Sequence, residues 1–153
     1  MLGFFQHRKR AEVQRVLSGR INHRCFDQIR PGPRRSARSA FSEVLWVIPT
    51  NGRGRNDFAA AYPVVGKDIS PDGLSLIHTA PMTDERMLVA LEGQSQPVFL
   101  ACTREHCTGI GYGFYQIGLH PDEAVSISDA ELSLLKGRLS EFDPRPAAAE
   151  AAL

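Results

Sequence analysis

Hydrophobic positions recur along this chain in two rhythms. Over residues 4–28, Phe5, Val13, Val16, Leu17 and Ile21 stand among Arg8, Lys9, Arg10, Arg15, Arg20 and Arg24. That mixed helical spacing predicts a basic amphipathic helix. It should stop before Arg30-Pro31-Gly32-Pro33, because each proline disfavours helix in its predecessor and the glycine adds freedom. From residue 40 the pattern becomes that of strands. Runs rich in β-formers at 40–49, 58–65, 74–78, 87–91, 98–103 and 113–119 are separated by clusters of Gly, Pro, Asp and Ser. Six short strands at such spacing predict a sandwich or small barrel rather than alternating βαβ units. The last element differs. Ser128-Asp129-Ala130-Glu131 is a capping-box pattern, and Leu132, Leu135, Leu139 and Phe142 follow at helical spacing. A helix of about three to four turns should therefore run toward Pro144 and plug or pack the barrel. The expected organisation is a basic N-terminal helical extension over 1–29, one β-domain with its helix over 30–143, and a disordered, Ala-rich tail over 144–153.

Composition narrows the class. A chain of 153 residues with 42% hydrophobic and 23% charged residues fits a single globular domain. No apolar run approaches the length of a membrane span, so membrane insertion is not expected. The apolar Met1-Leu2-Gly3-Phe4-Phe5 precedes His7-Arg8-Lys9-Arg10, the reverse of a secretory signal. Cys25, Cys102 and Cys107 show no framework spacing, which fits a reducing compartment and a cytoplasmic protein. The net charge of +1 conceals an asymmetry: residues 1–55 hold 12 Lys and Arg against 3 Asp and Glu, and residues 56–153 hold 6 against 14. The front half attracts anions. Both a phosphate-bearing small molecule and a nucleic acid would suit it.

Two motifs decide between these. Arg34-Arg35-Ser36-Ala37-Arg38 presents Arg34 and Arg38 four residues apart, on one face whether the segment is helical or extended. Guanidinium groups grip phosphate oxygens bidentately and stack on flat rings. The second motif, Asp68-Ile69-Ser70-Pro71-Asp72-Gly73, lies between two strand-like runs. Asp68 accepts, Ser70 both donates and accepts, and Gly73 is expected to permit a turn with positive φ that brings backbone close to a ligand. Such a set can read a purine edge. RxxxR followed about thirty residues later by DxSxxG resembles the PilZ domains, bacterial receptors for the second messenger cyclic di-GMP. The resemblance extends over roughly residues 30–140, and Tyr115-Gln116-Ile117-Gly118-Leu119 is similar to the family's closing strand. It implies a mainly β fold: a six-stranded antiparallel PilZ-like β-barrel with a C-terminal α-helix, preceded by a basic N-terminal helix and leash. It implies that Arg34, Arg35, Arg38, Asp68, Ser70 and Gly73 bind cyclic di-GMP, that no further cofactor is needed, and that an unidentified protein partner receives the signal. Arg30 and Arg34 share the RxxxR spacing, but Pro31 and Pro33 stiffen that pair while Arg34 and Arg38 abut the first strand.

The remaining signals read as structure. Arg34, Arg35 and Arg38 could form a solvated charge run, and Asp-x-Ser-x-x-Gly is also ordinary turn chemistry. Cys102-Thr103-Arg104-Glu105-His106-Cys107 lacks the second spaced pair of a zinc site. Gly109-Ile110-Gly111-Tyr112-Gly113 has no following Lys-Ser/Thr and reads as a hairpin connection. His78 and His120 have no serine or cysteine partner motif, and no catalytic constellation emerges, so an enzyme is not expected. The competing class is a nucleic-acid-binding β-barrel whose basic N-terminal half tracks a phosphate backbone. The paired motifs disfavour it.

Overall fold

The computed structural model describes residues 8–17, 28–29, 38–93 and 95–142, with 28–29 and 38–40 as backbone. Residues 8–17 form helix α1. The strands are β1 (Gln28–Ile29), β2 (Arg38–Ala40), β3 (Val44–Pro49), β4 (Tyr62–Ser70), β5 (Gly73–His78), β6 (Arg86–Leu91), β7 (Val98–Gly111) and β8 (Phe114–Val125), and helix α2 spans Asp129–Glu141. Six strands close on themselves: β3 pairs β4, β4 pairs β5, β5 pairs β8, β8 pairs β7, β7 pairs β6 and β6 returns to β3. Every pairing is antiparallel. This is the expected six-stranded barrel with a C-terminal helix. Closure leaves few free edges for unwanted pairing.

Alternation fills the interior. Leu45, Val47, Val64, Ile69, Leu74, Leu76, Val89, Leu100, Ile117 and Leu119 point inward and are buried together. Val13 and Leu17 of α1 belong to the same cluster, so the N-terminal helix closes one end of the barrel. A second cluster sits outside the wall, where Leu135 of α2 covers Ile48, Phe58, Ala61, Leu88, Ala90 and Phe99. Strand β6 lies between the two: Met87, Val89 and Leu91 face the interior cluster while Leu88 and Ala90 face the α2 cluster. That double burial explains its unbroken apolar run, Met87-Leu88-Val89-Ala90-Leu91.

Helix α2 starts as its sequence dictates. The Glu131 N–H donates to Ser128 Oγ at 3.2 Å, and the Ser128 N–H donates back to Glu131 Oε1 at 3.0 Å. Near its end Arg138 Nε donates to the Ala61 carbonyl at 2.9 Å, and the Arg138 guanidinium lies 4.7 Å from the Phe142 ring centroid. The helix packs on the barrel wall.

Several boundaries differ from those expected. The run 58–65 splits into a 3-10 turn, Phe58–Ala60, and β4, which continues to Ser70. Phe58 is spent on the α2 cluster instead of on a ladder. The run 40–49 is interrupted at 41–43, where the Phe41 N–H donates to the Lys67 carbonyl (3.0 Å) and the Gly66 N–H to the Glu43 carbonyl (2.8 Å). β2 and β3 therefore lie end to end along one edge of β4. β7 and β8 run well beyond 98–103 and 113–119 as a long ribbon. Its polar, solvent-facing positions carry no hydrophobic signal, while the ladder continues past them. The ribbon turns at Tyr112-Gly113, with φ of 57° and 80°. This matches a two-residue hairpin turn of the primed type, so the glycine-rich segment is a hairpin connection. The expected helix over 4–28 is seen at 8–17, while Gln28, expected at its end, instead opens β1 and pairs β2; the flanks 4–7 and 18–27, and the tail 144–153, lie outside the described residues.

Candidate ligand-binding face

The second motif is built into strand β4 and the tight turn after it. Ile69 points to the interior, so Asp68 and Ser70 point to the outer wall. Both are buried, at 4% and 7% exposure. The Asp72 N–H donates to Ser70 Oγ at 3.3 Å, a serine turn that fixes Pro71-Asp72 between Ser70 and its ladder partner Gly73. A bulge between Gly66 and Asp68 re-aims the wall at this point, and Lys67 Nζ donates to Gln116 Oε1 at 2.9 Å across it.

Gly73 corrects one expectation. Its φ is not in the positive region, which among the described glycines is adopted by Gly54, Gly111 and Gly113. What favours glycine there is crowding, because a Cβ at 73 would sit 3.2 Å from the Leu119 carbonyl oxygen.

The first motif meets the second along a ladder. β2 opens with Arg38 and pairs β4 with Ser39 opposite Ile69 and Ala40 opposite Asp68. On its other side β2 pairs β1, with Arg38 opposite Ile29. The backbone of Arg38 thus lies one step from the Asp68–Ser70 segment. Arg34 and Arg35 lie outside the described residues.

One participant was missed in the sequence. Asp72, a variable position of DxSxxG, is where α1 touches the motif: Gln14 Nε2 donates to Asp72 Oδ1 at 3.2 Å and Arg10 pairs with the same oxygen at 3.6 Å. Lys9 pairs with Glu123 of β8 at 2.9 Å. The polar face of α1, with Arg10 and Gln14 four apart, could have suggested such a reach.

A second concavity lies further along the wall. Val44, Val65, Ile77, Phe114 and Phe142 line an apolar groove of about 430 Å³ together with Tyr62 and His78. Tyr62 and His78 stack with centroids 5.0 Å apart. Burial, with the nearby Asp84 and Cys107, pushes the Tyr62 hydroxyl up to about 12. Burial also lowers the His78 pKa. Burial first, then Asp122, pushes the Cys102 thiol up, as suits a core cysteine. Among the described residues no cluster of His, Cys, Asp or Glu could hold a metal ion, and no helix is long and apolar enough to cross a membrane.

No family model and no curated protein matches this sequence. Solved structures do resemble it. MrkH of K. pneumonia in its apo state is 16% identical with a TM-score of 0.41, over 76% of this chain and 53% of that one. The PilZ domain with c-di-GMP of YcgR from Escherichia coli is 14% identical with a TM-score of 0.38, over 71% of this chain and 91% of that one. The chain spans about half the length of MrkH. In the six-stranded barrel of this chain the DxSxxG segment occupies the end of β4 and its turn, and the last arginine of RxxxR opens the strand paired to it.

Proposed function

We propose that this chain is a receptor for cyclic di-GMP that passes the binding event to a protein partner through its N-terminal helix. The observation that carries the reading is the β2–β4 ladder, which sets the Arg38 backbone beside Asp68 and Ser70 although thirty residues separate them in sequence. The ligand carries two phosphates and two guanines. It requires fixed positive charge for the phosphates, donors for guanine O6 and N7, and acceptors for guanine N1 and N2 hydrogens. Arg34, Arg35 and Arg38 supply the first two; Asp68 and Ser70 supply acceptors from the wall, and Gly73 keeps their turn narrow. Each charge-assisted hydrogen bond is worth about 1.5 to 3 kcal/mol.

Coupling follows from Asp72. The turn that positions Ser70 also holds Gln14 and Arg10, so a ligand that pulls on Asp68 and Ser70 pulls on the seat of α1. A helix released from the barrel end would expose Val13 and Leu17 to a partner.

Calorimetric titration of the protein with cyclic di-GMP, GTP and a short single-stranded oligonucleotide tests the assignment. The receptor reading expects saturable binding of the cyclic dinucleotide alone, abolished by Arg38→Ala. Heat only with the oligonucleotide, falling steeply with salt, would overturn it in favour of a nucleic-acid-binding barrel.

A further inference from the structure

The outer wall carries a cross-strand row that extends beyond both sequence motifs. Asp68 faces Ser75 across β4 and β5, Ser75 faces Gly118 across β5 and β8, and Gly118 faces His106 across β8 and β7. Their sequence neighbours Ile69, Leu74, Leu76, Ile117, Leu119 and Cys107 belong to the interior cluster. By alternation all four members of the row point outward. Adjacent strands lie about 4.8 Å apart, so the row extends about 14 Å from Asp68 to His106. That length suits a nucleotide better than a single ion.

Two details separate this row from a plain sheet surface. Ser75 is 1% exposed, and its Oγ has no hydrogen-bond partner among the described residues. A buried hydroxyl is costly to leave unpaired. Gly118, beside it, is overlain by the His106 ring: a Cβ there would run into Nε2, Cδ2 and Cε1 of the imidazole. Two small residues thus make a floor. Asp68 stands at one end, and an exposed, planar side chain rests over the other.

We propose that Ser75 and His106 are part of the dinucleotide site, with a guanine lying over the Ser75–Gly118 floor, stacked on the His106 ring and hydrogen-bonded to Ser75 Oγ. This deepens the cyclic di-GMP reading and rests on it. The imidazole occupies the place that the base requires, so it turns about its Cα–Cβ bond and becomes the stacking partner of the base. His106 is exposed, so the turn breaks no interior packing. The bound base in turn satisfies the orphan hydroxyl.

The test is calorimetric titration of cyclic di-GMP into the full chain and into His106→Ala, His106→Phe and Ser75→Ala, each checked for native-like circular dichroism and a cooperative thermal transition. Loss of a stacked base should weaken His106→Ala by about tenfold or more. His106→Phe keeps a flat ring and should stay within about threefold of the parent. Ser75→Ala should bind about fivefold more weakly through the lost hydrogen bond. Parent-like affinity in His106→Ala, or an equal loss in His106→Phe, overturns the stacking role, and parent-like affinity in Ser75→Ala overturns the hydrogen bond. Failure of the unsubstituted protein to bind would instead overturn the receptor reading, and this inference with it.

Discussion

Leu17→Ala removes the residue that anchors α1 in the barrel, and its cost can be worked from the packing. The side chain is fully buried in the interior cluster, beside a nearly buried Val13. Burying a leucine is worth about 1.5–3 kcal/mol, and a cavity left behind raises the loss to about 2–5 kcal/mol. The polar ties of α1 are weaker: Lys9–Glu123 and Arg10–Asp72 join side chains that are 38% to 70% exposed. Pairs of that kind contribute roughly 0–1 kcal/mol each. The helix is therefore held by Val13 and Leu17 rather than by its charges. Urea unfolding followed by circular dichroism should show Leu17→Ala about 3 kcal/mol less stable with an unchanged m-value. In a thermal scan this corresponds to a midpoint lower by about 6–12 °C. Lys9→Ala should cost about 0.5 kcal/mol or less. A Leu17→Ala loss below about 1 kcal/mol, with a larger one for Lys9→Ala, would refute the claim that burial seats this helix.

Other consequences can be checked in the same unfolding assay. Ser128→Ala removes one half of the reciprocal cap on α2 and should lower stability by about 1 kcal/mol; an unchanged midpoint would mean that the cap is dispensable. The Tyr62 hydroxyl, raised from 10.0 to about 12 mainly by burial, favours its neutral form in the folded chain. Its contribution is complete below pH 10 and is lost as pH rises toward 12, so Tyr62→Phe should flatten the alkaline limb of stability against pH, with buried Cys102 acting in the same direction. His78 has the opposite sign: its pKa is lowered below 6.5 by burial, so its contribution is present above that value and is lost as pH falls. His78→Gln should make the acid limb shallower, and an unaltered slope would argue against burial as the cause.

The sequence disclosed the parts of this protein whose signals are local. The six-strand layout, the capping box at Ser128 and Glu131 and the hairpin at Tyr112-Gly113 depend on spacing, caps and turn residues that stand side by side in the chain. Length of the β7–β8 ribbon was hidden, because Glu105, Thr108 and Gly109 face solvent and need no hydrophobic pattern to remain in the ladder. The role of Phe58 was hidden too, since a buried aromatic reads the same in a strand and under a helix. Of the candidate site, Asp68, Ser70 and Gly73 could be picked out by type and spacing. The joining of Arg38 to them depends on a ladder between distant segments, and the presence of α1 at Asp72 depends on a helix whose charges look simply solvated. Gly73 taught a different lesson: glycine is favoured at this position, but by the Leu119 carbonyl and not by the backbone angle.

The seating of α1 also makes the chain its own tethered ligand. Ten residues link Leu17, in the interior cluster, to β1, which pairs β2 beside β4. Because helix and seat belong to one chain, the helix meets that seat at a high local concentration. Occupancy of the barrel end is thus a competition between an intramolecular helix and anything else that fits Val13 and Leu17's place. An outside competitor must outbid that local concentration, whereas a ligand that loosens Asp72 shifts the balance without ever touching the helix.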